Sequence, residues 1–128
     1  MPATTLPNPS DHYIPLSTAV SMTSLYRSKR ESILQPNYQD LDTLPLSETF
    51  HKTAIDLLLN TNGCLGLRIY YGMDVHEKVH AILVAVDGNN RDILPANDSL
   101  STDNEEPIII EVGQRCPPSC PPSSDLNT

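Results

Sequence analysis

The chain contains a short string that matches the HExxH motif of zinc peptidases: residues 76–80 read HEKVH. On a helix, two histidines four residues apart lie on one face and can bind zinc, while the glutamate between them acts as general base. His76 and His80 are therefore the metal ligands of one hypothesis, a small zinc-dependent peptidase. A downstream carboxylate would complete its metal site, with three candidates: Glu105, Glu106 and Glu111.

The residues around this string favour a strand over a helix. Ala81 to Val86 are mostly aliphatic and β-branched, and an Asp-Gly turn follows them. In an extended strand, side chains four residues apart are roughly 13 Å from each other, too far to share one metal ion. We therefore expect no bound metal, no cofactor and no catalytic residue. The sequence favours a protein that is not an enzyme.

A second group of polar side chains falls on two predicted neighbouring strands. Arg68 and Tyr70 lie on one face of the first strand, and His80 belongs to the second. An arginine offers a planar fork of donors that suits an anion. These three residues are the candidate ligand-binding set of a further hypothesis, a small anion-binding or small-molecule-binding domain.

The cysteines number three: Cys64, Cys116 and Cys120. An odd number in a small domain does not form a complete disulfide framework, and free thiols are the default without export. Cys116 and Cys120 could still pair through a short loop. Cys64 begins a predicted strand and is expected to be a small core residue.

Composition excludes some partners. The 128-residue chain has a formal net charge of −8, which argues against nucleic acid because phosphate neutralisation requires clustered Lys and Arg. No signal peptide and no apolar run of about 20 residues is visible. We therefore expect a cytoplasmic protein that binds neither nucleic acid nor membranes.

The distribution of proline divides the chain into three parts. Residues 1–13 are predicted to be an extended N-terminal arm, residues 14–112 a single domain, and residues 113–128 a C-terminal tail containing proline and cysteine. Such a tail does not order by itself, so we expect an ordered tail to lie against a second subunit. This favours a protein partner or a homo-oligomer, most simply a dimer.

Periodicity predicts two helices followed by strands. The helices span residues 15–33 and 46–60, with Ser47 as the N-cap of the second and Phe50, Ala54, Leu57 and Leu58 as its buried face. Strands are predicted at residues 64–71, 79–86, 91–94 and 107–112. The predicted fold class is α+β, with the two N-terminal helices packed on one face of a three- to four-stranded antiparallel meander sheet.

Three segments, read together, resemble a group of small uncharacterised bacterial proteins. They are GCLGLRIYYGM at residues 63–73, VHAILV at 79–84 and GQRCP at 113–117. No activity is known for that group, so the resemblance implies a bacterial origin and no mechanism.

The hypothesis that we rank first is a non-enzymatic interaction or assembly module of a bacterial cell. It rests on the extended segments at both ends, the apolar predicted sheet and the lack of a catalytic constellation. The zinc peptidase and the anion-binding or small-molecule-binding domain are its alternatives.

Overall fold

The α+β class is confirmed. A computed structural model describes residues 2–96 and 107–128. These residues form two α-helices and two antiparallel sheets. In chain order the elements are α1 (Leu16–Lys29), β1 (Ser47–Thr49), α2 (Lys52–Leu59), β2 (Gly66–Met73), β3 (Val79–Val86), β4 (Asp92–Ile93) and β5 (Gln114–Cys116). Within the described residues, no helix has the length and apolar character required to cross a membrane.

The larger sheet is the predicted meander, in the order β2-β3-β4. β2 and β3 pair along their whole length, with Ile69 opposite Leu83. The predicted turn after β3 is stabilised by Asp87, whose side chain accepts hydrogen bonds from the N–H groups of Asn89 and Arg91. Asn90 takes the left-handed conformation, with φ of 64°. This turn reverses the chain into the short strand β4.

The predicted strand at residues 107–112 is mostly absent. Only Ile110 pairs with the sheet, exchanging hydrogen bonds with Leu83 of β3. Val112 has a φ of 62°, which turns the chain out of the extended conformation. The chain then continues into β5, which pairs with β1 instead.

The second sheet was not predicted and it shortens the second helix. Ser47–Thr49 is extended because it pairs with Gln114–Cys116. The helix therefore begins at Lys52, and its N-cap is His51, whose side chain accepts from the N–H of Thr53. Ser47 as N-cap was wrong, and β5 lies within the segment that the sequence assigned to the tail.

The core lies between α2 and β3. It consists of Leu58, Leu83, Ala85 and Ile110, with Phe50, Ala54 and Ile55 among the half-buried residues packed against it. Leu58 is fully buried, whereas its neighbour Leu57 is 47% exposed. The prediction of a buried Leu57 was therefore wrong, since only one side of the short helix faces β3.

Polar side chains of the first helix contact the segment before β1 and the tail. None of the residues of α1 is buried. The hydroxyl of Tyr26 donates to the carbonyl of Pro45, and Arg27 donates to the carbonyls of Leu126 and Thr128. Packing of α1 on the sheet stays a prediction. The tail contacts its own chain through Arg27, and its packing against a second subunit stays a prediction.

The structure pairs Cys116 with Cys120 in a disulfide and leaves Cys64 free and half-buried. The Cys64 thiol contacts the carbonyl of Gly66 at 3.2 Å. Stable disulfides are typical of oxidising compartments, so this bond does not support the cytoplasmic location, which stays a prediction.

Candidate functional site

The HEKVH string is not helical. Residues after Asp74 form a tight turn, and β3 begins at Val79. One carboxylate oxygen of Asp74 accepts hydrogen bonds from the N–H groups of His76 and Lys78, while Glu77 has a φ of 63°. The helix on which the peptidase hypothesis depends is therefore contradicted. His76 is exposed, and the structure does not bring it to a common site with His80.

His80 lies between two carboxylates. Its Nε2 is 2.7 Å from Oδ2 of Asp74, and its Nδ1 is 3.1 Å from Oε1 of Glu111. The contact with Asp74 is a hydrogen bond. The contact with Glu111 has the distance of an ion pair but not the direction of a hydrogen bond, and both of its atoms are buried without a hydrogen-bond partner.

A third carboxylate reaches the same place from β1. The sheet ends beside the middle of β3, so the N–H of Ala81 has no strand partner and donates to Oε1 of Glu48 at 2.9 Å. The other oxygen of Glu48 is buried without a partner. Gly113 makes room for it, because a Cβ at that position would lie 2.8 Å from Oε2 of Glu48.

Glu48, His80 and Glu111 therefore converge, with one ligand atom of each lying within 4.8 Å of the others. Glu111 was one of the three carboxylates proposed from the sequence, and Glu105 and Glu106 lie outside the described residues. Glu48 was missed, because only the pairing of β1 with β5 places it beside β3. The residues of β1 and β5 do not by themselves indicate that the two strands pair.

Arg68 and Tyr70 form a separate network on β2. Both bind the carboxylate of Asp92, and Arg68 also binds Asn90. The hydrogen bond to Asp92 raises the pKa of both Arg68 and Tyr70. The donors of Arg68 that would bind an anion are thus already engaged, and His80 uses other partners. The structure does not assemble the predicted ligand-binding set of Arg68, Tyr70 and His80 around one ligand.

A groove of about 810 Å³ adjoins the Glu48 and His80 side of the cluster. Its walls are largely apolar and come from the segment around β1 and from one face of the larger sheet. They include Leu46, Phe50, Leu67, Ile69, Tyr71 and Leu83. The groove exists because α2 covers only part of that face.

The hydrogen bonds of Asp74 in this turn can be tested through the dependence of stability on pH. Its hydrogen bonds, first with the N–H of Lys78 and then with His80, lower the pKa of Asp74 from 3.8 to about 2. A carboxyl whose pKa is lowered by folding stabilises the fold above its unfolded pKa, and this contribution is lost as the pH falls through the folded pKa. Asp74→Asn keeps one acceptor oxygen for the two backbone N–H groups, replaces the oxygen that faces His80 by an amide nitrogen, and removes the charge.

We therefore expect the wild type to be more stable than Asp74→Asn at neutral pH. The difference should shrink between about pH 4 and pH 2. Urea denaturation of both proteins across this range measures it, and protonation of the other carboxyls cancels in the comparison. A difference that stays constant on acidification would contradict the assignment.

No known protein family, curated protein or solved structure matches the chain. The resemblance to small bacterial proteins therefore stays a prediction, and function has to be argued from this structure.

Proposed function

We propose that this protein is a self-associating assembly module that forms a symmetric dimer through the open edge of β2. The observation that supports the proposal is an eight-residue outer strand that carries apolar side chains and has a free backbone edge.

The backbone of β2 has hydrogen-bonding groups that the larger sheet does not use. In an antiparallel pair, only alternate residues exchange hydrogen bonds with the partner strand. The N–H of Asp74 donates to the carbonyl of Lys78, which shows that the even-numbered residues of β2 bond to β3. The N–H and C=O groups of the odd-numbered residues therefore point outward: Leu67, Ile69, Tyr71 and Met73.

The side chains of the same four residues are exposed, from 41% for Leu67 to 77% for Tyr71. Proteins normally protect an outer strand with lysines, prolines, bulges or a covering segment, because a free edge invites pairing with another chain. β2 contains no lysine and no proline. The N-terminal arm reaches Gly66 with Leu6, but no backbone hydrogen bond joins the described part of the arm to β2.

The edge is self-complementary. An antiparallel pairing of β2 with a second copy of β2, centred on Tyr70, uses all of the outward N–H and C=O groups. It places Leu67 opposite Met73 of the partner subunit, and Ile69 opposite Tyr71 of the partner subunit. Arg68 then faces a glycine, so no like charges oppose each other. The sheet becomes continuous across both copies, and their apolar stripes lie on one face.

An interface of one strand pair is small, so we expect a dissociation constant on the order of 1–100 µM. Tyr71→Lys should give a monomer, since lysine on an outer strand opposes pairing. Val75→Lys is the matched control, because Val75 is 93% exposed and lies in the turn beyond β2. Sedimentation equilibrium over a range of concentrations measures the masses. The proposal fails if the wild type is monomeric throughout or if both variants behave alike.

The register has its own test. Two-fold pairing at Tyr70 puts the Cα atoms of the two copies about 4.5 Å apart, within reach of a disulfide. In a Cys64→Ser background, Tyr70→Cys should form a covalent dimer under mild oxidation, whereas Arg68→Cys should not. Equal cross-linking of the two variants would mean that association does not use this register.

A further inference from the structure

The cluster of Glu48, His80 and Glu111 brings two carboxylates beside one imidazole. Oε2 of Glu48, Oε1 of Glu111 and Nδ1 of His80 are all buried without a hydrogen-bond partner. Buried polar atoms are nearly always paired, and buried charges are paired or bind a metal. One ligand atom of each of these three residues lies within 4.8 Å of the others.

The hydrogen bond with Asp74 determines which ring nitrogen of His80 carries the hydrogen and which one is left to bind a metal ion. It already accepts two backbone N–H groups, from His76 and Lys78, and its second oxygen faces Nε2 of His80 at 2.7 Å. An ionised carboxylate can only accept, so Nε2 carries the hydrogen and donates it. In the neutral imidazole, Nδ1 then presents a lone pair to the two glutamates. A carboxylate that orients a histidine in this way is the usual outer partner of a metal-binding imidazole.

We propose that Glu48, His80 and Glu111 bind a divalent transition-metal ion such as Zn²⁺ or Mn²⁺. One imidazole nitrogen and two carboxylate oxygens, without a thiolate, are a donor set that suits these ions. Metal–ligand bonds of about 2.0–2.2 Å place ligand atoms about 3–4 Å apart, so the three side chains need to close by only about 1 Å.

The surroundings hold the ligands in place. Oε1 of Glu48 is fixed by the N–H of Ala81. The absence of a side chain at Gly113 leaves the space that the other oxygen occupies. Glu48 and His80 also line the apolar groove. This site differs from the one in the HEKVH hypothesis, because it uses His80 without His76.

The experiment uses the full chain, freed of metal with a chelator and carrying Cys64→Ser to remove the thiol ligand. Calorimetric titration with Zn²⁺ should show one ion per chain with a micromolar or lower dissociation constant. Co²⁺ titrated in its place should give visible absorption bands that report the ligand set. Glu48→Gln keeps the acceptor for Ala81, and Glu111→Gln keeps the side-chain shape. We expect each to weaken Zn²⁺ binding at least about tenfold, because loss of a ligand costs no less than loss of a ligand's hydrogen-bond partner.

His80→Gln should abolish binding, whereas its matched control His76→Gln should leave it unchanged. Asp74→Asn, a positioning variant, should weaken binding by about 10–100-fold and keep the Co²⁺ spectrum. If His80→Gln does not fold, Glu111→Gln decides, since Glu111 is 37% exposed. The proposal is overturned if Zn²⁺ and Mn²⁺ fail to bind up to about 1 mM, or if His76→Gln weakens binding as much as His80→Gln.

Discussion

Leu58→Ala will lower the free energy of unfolding by about 2–5 kcal/mol, as other leucine truncations in cores do. Leu58 is the largest fully buried side chain in the described residues, with 0% exposure. It joins α2 to Leu83 and Ala85 of β3 and to Ile110. The shortened side chain would leave a cavity between α2 and β3, because the helix and the sheet hold the walls of that cavity apart.

Leu57→Ala is the control, since Leu57 precedes Leu58 in the same helix and is 47% exposed. We expect it to cost less than about 1 kcal/mol. Because both variants lose the same atoms from the same helix, helix propensity cancels in the comparison. Urea denaturation gives the free energy of unfolding of both variants, provided that its slope against urea concentration is the same as in the wild type. Equal effects of the two substitutions would mean that α2 does not pack on β3 through Leu58.

Where the sequence pattern is local, the prediction of the fold was confirmed. The β-branched run at residues 79–86 is β3 with the same boundaries, and the Asp-Gly turn after it leads into β4 as expected. A run of aliphatic, β-branched residues between two neighbouring strands has few conformations other than a buried strand. Such elements can be recognised without knowledge of distant parts of the chain.

Where the pattern depends on long-range pairing, the prediction was wrong. Leu46 and Phe50 have helical spacing, yet the segment between them is extended because β5 pairs with it from across the chain. This pairing also brings Glu48 to Ala81, 33 residues away. The sequence therefore supplied His80 and Glu111 as candidate ligands but not Glu48. A short strand gains its stability from its partner, so its own residues carry little signal.

The most buried charge in the described residues is the side chain of Arg115, a residue that is 8% exposed. Its guanidinium donates to the carbonyls of Asp42 and Thr43 and, through Nε, to the carbonyl of Val79. It thereby ties β5 to the loop at residues 42–43 and to the start of β3. Hydrogen bonds to a charged group contribute about 1.5–3 kcal/mol each. Loss of the guanidinium would remove these donors from the half-buried carbonyls of Asp42 and Val79, whereas the carbonyl of Thr43 would keep the N–H of Val79.

We therefore expect Arg115→Met, which keeps the apolar stem and removes three hydrogen bonds of a charged group, to lower the free energy of unfolding by about 3–5 kcal/mol. Arg27→Met is the matched control, because Arg27 also donates to two main-chain oxygens, those of Leu126 and Thr128, but through exposed hydrogen bonds. Its effect should stay below about 1 kcal/mol. Chemical denaturation measures both variants. If Arg115→Met is as mild as Arg27→Met, then β5 is attached by its pairing with β1 alone, and the position of Glu48 beside His80 does not depend on Arg115.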